Sequence, residues 1–199
     1  MIAYVQGKFQ FVSPAVVYVN VQGVGYEVYI SLHTYSAIQA LPEGQLYTYL
    51  LIKEDAHALY GFATIAEKEL FLQLLSVSGI GANTARMMLS SIAPPDITRA
   101  IIQGDIRVLE SIKGIGKKTA ERAILELKDK LAKAQLTDLA NTPTLDSTTH
   151  FNHNTDAVNA LQALGIARNI AENAVKKAVA VLPEGSIVEI IIKKALQLI

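Results

Sequence analysis

From Tyr4 to Phe62 the apolar residues come in short β-branched and aromatic runs, broken by glycine and proline. Tyr4, Val5, Phe9, Phe11 and Val12 make the first run, and Ala15 to Val21 the second. Tyr26 to Ile30 follows the turn Gly23-Val24-Gly25, and Leu46 to Ile52 and Ala58 to Phe62 complete the set. The pattern predicts about five strands. Five short strands in so little chain fit a small closed barrel of the OB type, because closure removes exposed edges. A fragment of a β-sandwich fits the same pattern. From Ile65 the period becomes helical: Leu70, Leu74, Leu75 and Val77 lead into Gly79-Ile80-Gly81, followed by Ala85, Met88, Leu89 and Ile92. Pro94-Pro95-Asp96 is expected to stop that helix and cap the next. Ile101, Ile102, Val108, Leu109 and Ile112 then lead into Gly114-Ile115-Gly116, and Ala120, Ile124, Leu127 and Leu131 form one apolar stripe on the helix that follows. Its other face offers Glu126/Lys130 and Asp129/Lys133 as i, i+4 pairs.

Beyond that helix the pattern fades. Residues 136–155 are polar, rich in Thr and Asn, and carry almost no periodicity, which predicts a flexible linker. His150 and His153 lie in it three apart; with no further ligands nearby, they read as solvated rather than as a metal site. After it, Val158, Leu161 and Leu164 predict a short helix ending at Gly165. A second runs through Ile170, Ala174, Val175, Ala178 and Val181 to Leu182-Pro183. Ser186 and Glu189 read as a capping box opening a third helix through Ile190, Ile191, Lys194, Leu196 and Leu198. The division expected is a barrel over 1–63, a helical domain over 64–134, a linker over 135–154 and a three-helix module over 155–199. This is an α+β, multidomain chain. So small a terminal module is marginal alone, and a partner surface explains keeping it on a tether.

Composition narrows the function. The 199 residues are 51% apolar and include no cysteine, so a disulfide framework and thiolate metal sites are excluded. No apolar run approaches the roughly 18 residues of a membrane span. The first residues, Met1 to Gly7, lack the features of a signal peptide, and a cytoplasmic protein is expected. Net charge is zero, but it is unevenly spread: −2 over residues 1–62, +3 over 63–134, −2 over 135–154 and +1 over 155–199. Basic charge therefore collects in the helical domain, and phosphate binding needs a local basic surface rather than a basic average.

The chemistry sits in an internal repeat. Leu75-Ser76-Val77-Ser78-Gly79-Ile80-Gly81-Ala82-Asn83-Thr84-Ala85 returns 35 residues later, Gly79 to Gly114, as Gly114-Ile115-Gly116-Lys117-Lys118-Thr119-Ala120. Glycines let the backbone turn tightly and bring its N–H groups close to a ligand. The helix that starts there presents unpaired N–H groups and a positive dipole end. The isoleucine between them is expected to turn inward as an anchor. Such a hairpin suits a phosphodiester and ignores base identity. The DNA-binding set is thus Gly79, Ile80, Gly81, Asn83, Thr84, Gly114, Ile115, Gly116, Lys117, Lys118 and Thr119. One Gly-x-Gly could be a plain helix connector; two matching copies weigh against that. Neither copy follows a strand as in a dinucleotide site, and no phosphate-binding loop of the nucleotide-hydrolase type occurs, so no motor is visible.

The second copy, Gly114 to Arg122, is where a resemblance becomes specific: the chain resembles the RuvA family. Lys53-Glu54-Asp55-Ala56 with Leu59-Tyr60-Gly61-Phe62 resembles that family's barrel hairpin, Gly23 to Val28 its earlier strand, and the terminal helices its third domain. The resemblance covers nearly the whole chain. It implies a non-enzymatic homotetramer that binds four-way (Holliday) junctions in recombination and repair, part of the SOS response. It also implies a mobile C-terminal domain that recruits RuvB, a hexameric ATPase, for branch migration. The resolvase RuvC is a further partner, an octamer on DNA an alternative assembly, and no catalytic residue, metal, cofactor or membrane contact is called for. Glu54 and Asp55 fall at the family's acidic pin, whose carboxylates repel phosphates at the junction centre. Without the resemblance they read as a solvated turn. Leu161, Leu164, Ile166, Leu196 and Leu198 are candidates for the ATPase-binding surface.

Two departures stand out. The family commonly begins with a basic Gly-Arg-Leu-Arg-Gly-like stretch, where this chain has Ala3-Tyr4-Val5-Gln6-Gly7; and Gly81-Ala82-Asn83-Thr84 runs where a lysine is often seen. Both remove charge, which predicts weaker or more salt-sensitive junction binding than in a more basic relative; a salt titration checks it. Two other functions fit part of the pattern. One is a helix-hairpin-helix DNA glycosylase, for which Asp138 is the only suitably placed carboxylate, in a stretch with no pocket to tune it. The other is a duplex-binding adaptor without junction specificity.

Overall fold

The structure, a computed structural model, describes residues 1–140, 153–183 and 186–199. It divides into two compact units, Met1–Asn141 and Thr142–Ile199. In the first, β1 (Tyr4–Val12), β2 (Val16–Val21), β3 (Val24–Ile30), β4 (Glu43–Ile52) and β5 (His57–Phe62) close into a barrel in the order β1-β2-β3-β5-β4. Neighbours are antiparallel except β3 and β5, which run parallel with Tyr29 opposite Tyr60. Alternation places Val5, Val17, Val19, Val28, Ile30, Leu46 and Leu59 inside. Closure decides against the open sandwich.

A short helix, α1 (Leu32–Ile38), was not visible in the pattern; it bridges β3 and β4, capped by Ser31, whose Oγ accepts from the Thr34 N–H at 3.0 Å. Seven residues give too few turns for a period to show.

The helical part of this unit comprises α2 (Ile65–Leu75), α3 (Ala82–Ser91), α4 (Pro94–Gln103), α5 (Ile106–Glu110) and α6 (Lys117–Ala140). Its core is continuous with the base of the barrel: Phe71 of α2 lies 4.9 Å from Phe62, 5.3 Å from Tyr60 and 5.8 Å from Tyr49, ring centre to ring centre. Barrel and helices are therefore welded through aromatic packing.

Several local expectations need correcting. Asp96 does not cap α4. The cap is Ala93, with Pro94 and Pro95 filling the first helical positions, and Asp96 sits one step further in, 2.9 Å from Arg99. Proline is suited to a first turn because the N–H it lacks has no intrahelical partner there. Ser186 and Glu189 form no capping box: Ile187 is the cap of α9, the Ser186 hydroxyl donates to the Pro183 carbonyl at 2.7 Å, and Glu189 pairs with Lys193 at 2.7 Å. Glu126 and Lys130 are both exposed and make no ion pair with each other. Helix also enters both ends of the expected linker. The backbone of α6 continues to Ala140, so Asp138 stands on a helix, and α7 begins at His153. Residues 141–152, with His150, lie outside the described residues.

The second unit holds α7 (His153–Ala163), α8 (Arg168–Val181) and α9 (Val188–Leu196), packed on one another around Ala157, Leu161, Ala171, Ala174, Val175, Ala178, Ile191 and Ala195. Small residues on the facing sides permit close packing. Among the described residues no helix is long and apolar enough to cross a membrane.

Candidate nucleic-acid interface

Both Gly-Ile-Gly segments join two helices, α2 to α3 and α5 to α6. The first glycine of each is required by its backbone: φ is +96° at Gly79 and +92° at Gly114, a region costly for any side chain. Ile80 and Ile115 turn inward and are buried. Their own N–H groups are used internally, donating to Val77 and Ile112 carbonyls at 3.0 Å. They anchor the hairpin and are withdrawn from direct contact with a ligand.

The second glycines tell a different story. A Cβ at Gly81 or Gly116 would meet nothing within 4 Å, and neither residue has a positive φ. Nothing inside the protein asks for glycine at these positions. Each stands at the start of a helix: Ala85 N–H donates to the Gly81 carbonyl at 2.9 Å, and Ala120 N–H to Gly116 at 3.0 Å. At α3 no side chain caps the end. The amides of Ala82, Asn83 and Thr84, and of Lys117 and Lys118, are therefore orphan donors beside a bare backbone. Such a surface admits a large anion closely.

The two hairpins form one body with exchanged contacts. Arg122 of α6 donates to the Ser78 carbonyl of the first hairpin at 3.3 Å. At the matching position of the first copy, Met87 of α3 lies 3.6 Å from where a Gly114 Cβ would stand. Charge is not shared equally. Lys113, Lys117, Lys118 and Arg122 stand on or beside the second hairpin, all exposed, whereas the first hairpin's own segment carries no lysine or arginine before Arg86, and Arg122 reaches its Ser78 carbonyl from α6. Lys113 and Arg122 were not named from the sequence: both stand close to the glycines of the second hairpin, but their counterparts in the first copy are Ser78 and Met87, so the repeat did not flag them. Thr84 and Thr119 are half-buried at the bases of the two helices.

Asn83 is exposed, and its Oδ1 accepts a 3.2 Å hydrogen bond from the Tyr60 hydroxyl. Burial holds the Tyr60 phenol above its ordinary range, with the Arg86 charge pulling the other way. Tyr60 thus stays a donor, and the Asn83 amide keeps its N–H groups for the outside. Glu54 and Asp55 are exposed at the tip of the β4–β5 hairpin, where the Lys53 N–H donates to the Ala56 carbonyl at 2.9 Å.

In the terminal unit the five candidates separate. Leu164, Leu196 and Leu198 are exposed, at 64%, 46% and 37%. Ile166 packs half-buried against the core, and Leu161 is fully buried within it, so Leu161 cannot offer a contact surface. Its position facing α8 and α9 makes it structural. Among the described residues no group of three or more acidic or histidine side chains could hold a metal ion.

Family profiles match in sequence along the chain: the RuvA N terminal domain over residues 1–61, a SAM-like helix-hairpin-helix tandem over 71–129, and the RuvA C-terminal domain over 152–199. A protein of Flavobacterium psychrophilum named Holliday junction branch migration complex subunit RuvA is 50% identical over 197 residues, 99% of each chain. Proteins of the same name from Cytophaga hutchinsonii and Christiangramia forsetii are 46% and 44% identical, covering 86% and 99% of each chain. With a closed barrel, a pair of interlocked helix-hairpin-helix segments and full-length similarity of this degree, the chain belongs to the RuvA family.

Proposed function

We propose that this protein binds four-way DNA junctions without cutting them, holds them open, and serves as the DNA-gripping subunit of a branch-migration complex. The observation that carries the reading is the pair of bare helix starts at Gly81 and Gly116, held in one body by Arg122 and Met87. Backbone amides there take phosphodiester oxygens of two adjacent positions along a duplex, with Lys117 and Lys118 adding charge at the second. Gly79, Gly114, Ile80 and Ile115 shape the hairpins; Gly81, Asn83, Thr84, Gly116 and Thr119 present donors or open backbone.

Hairpins that read only backbone cannot distinguish a junction from duplex. That selectivity is assigned to assembly and to Glu54 and Asp55, which in a homotetramer would gather eight carboxylates near one point and repel the crossing phosphates. The motor is a separate hexameric ATPase, RuvB, engaged by the terminal unit through Leu164, Leu196 and Leu198; RuvC binds the same junction complex. A gel shift comparing a four-way junction with linear duplex of equal length tests the reading. A strong junction preference is expected, and equal binding overturns it in favour of a plain duplex adaptor.

A further inference from the structure

Between the acidic turn and α3 lies a cleft of about 350 Å³, lined by Tyr29, Lys53, His57, Tyr60, Asn83 and Arg86, among others. Its walls come from both halves of the welded unit: the β4–β5 hairpin on one side, the first turns of α3 on the other. It is at the small end of the range for ligand sites and far too narrow for a duplex. A single nucleotide is of its size.

Its chemistry is one-sided. No carboxylate lines it, although residues 1–62 are net acidic and hold only two lysines. One of those two, Lys53, is here. Arg86 is fixed in place: its Nη1 donates to the Ala15 carbonyl at 3.0 Å, and its guanidinium lies 5.6 Å from the centre of the Tyr29 ring. One of its five N–H donors is used by that bond, and the rest stay available. Asn83, its oxygen taken by Tyr60, offers only N–H groups. The cleft therefore presents a held cation, a free cation and an amide donor. The nearby carboxylates, Glu54 and Asp55 on the turn and Glu27 beside Tyr29, lie outside the lining. They leave the Arg86–Asn83 end as the anion-seeking one.

We propose that this cleft takes the phosphodiester of an unpaired nucleotide, on the strand that leaves the first hairpin and passes toward the acidic turn. The proposal rests on the junction-binding reading and adds a site to it: the carboxylates push strands apart, and the cleft beside them holds one strand once parted.

The test uses the full-length protein and three probes: a four-way junction, a forked duplex with unpaired thymidine arms, and a blunt duplex of the same paired length. Arg86→Gln and Lys53→Gln are each expected to weaken fork binding about tenfold, as for loss of one charge-assisted contact. Each should also lower the salt dependence of fork binding by about one counterion. Blunt-duplex affinity should stay within about twofold. Equal losses on both probes, or no loss on the fork, overturn the proposal. Because Arg86 also ties α3 to the barrel, Lys53→Gln, whose side chain has no such tie, decides the matter if the arginine variant unfolds. A wild-type protein with no junction preference sinks the parent reading instead. A wild type with that preference, and variants with unchanged fork binding, sink only the cleft.

Discussion

At the scale of single residues, the two glycines of each hairpin have different reasons for being glycine, and substitution separates them. Gly114→Ala forces a side chain into φ +92° and should cost about 1–2 kcal/mol of stability, read by urea unfolding. Gly116→Ala meets nothing in the protein and should leave stability within about 0.5 kcal/mol, yet weaken duplex binding, because the methyl would stand on the bare backbone proposed to take a phosphodiester. If Gly116→Ala binds duplex as well as wild type, the hairpin does not face DNA. The lysines make a complementary prediction: Lys117→Gln and Lys118→Gln should each reduce the slope of log affinity against log salt by about one, with no dependence on base sequence. Much of this was legible beforehand, since the repeat named the glycines, the inward isoleucines and the charged second copy. What could not be read was that Ile80 and Ile115 spend their amides internally, or that Asn83 is oriented by a tyrosine 23 residues upstream. Such facts depend on contacts between elements, which periodicity does not encode.

At the scale of elements, the joint between barrel and helices holds a feature no pattern announced. Glu67, in the first turn of α2, is 1% exposed and forms no ion pair among the described residues. Its Oε1 accepts from the Ser31 hydroxyl at 2.5 Å; Oε2 accepts from the Thr34 hydroxyl at 2.7 Å and the Ala63 N–H at 3.2 Å. Ser31 caps α1 and Thr34 lies in its first turn, the very helix the sequence left unseen, so these partners of Glu67 were hidden with it. Glu67 stands three residues after the cap Thr64, whose hydroxyl accepts from the Glu67 N–H at 3.1 Å, a position from which a glutamate usually folds back on its own cap. Here it reaches across to the barrel instead. Removing it leaves the Ser31 and Thr34 hydroxyls without their acceptor in a dry joint, while the Ala63 N–H keeps its 3.2 Å bond to the Thr34 hydroxyl, so Glu67→Ala should cost about 2–4 kcal/mol. Glu67→Gln, which keeps an acceptor but presents an amide N–H to a hydroxyl donor, should cost less. A thermal melt in which both variants match wild type removes Glu67 from the joint's stability. The same joint fixes where the β4–β5 turn stands relative to both hairpins, which is why a stability lesion there should also blunt junction preference.

At the scale of the whole molecule, the chain holds two units with separate cores, and this gives the division of labour a physical basis. The cores of the first unit are built without any residue beyond Leu131 among those buried, and the core of the second without any residue before Ala157. Each of these cores is closed by residues of its own unit, so folding energy should not couple them. The interior of the second unit is filled largely by alanines together with Leu161, Val175 and Ile191, while Leu164, Leu196 and Leu198 stay exposed. Those exposed leucines do not stabilise a three-helix fold by burial, whereas Leu161 does. The sequence could name all of them but not sort them, because apolar residues for a core and for a partner look alike until burial is known. Deleting residues 155–199 should therefore leave the melting of the first unit and its affinity for a four-way junction unchanged, within about twofold, while abolishing stimulation of a RuvB ATPase on that junction. Leu164→Ser in the intact chain should reproduce the loss of stimulation without the deletion, since a side chain that is 64% exposed adds little to the core. Leu161→Ala should instead lower the stability of the second unit by about 2–5 kcal/mol. Should the deletion weaken junction binding as strongly as it weakens stimulation, the terminal unit grips DNA as well, and the split between a DNA-holding body and a motor-holding module fails.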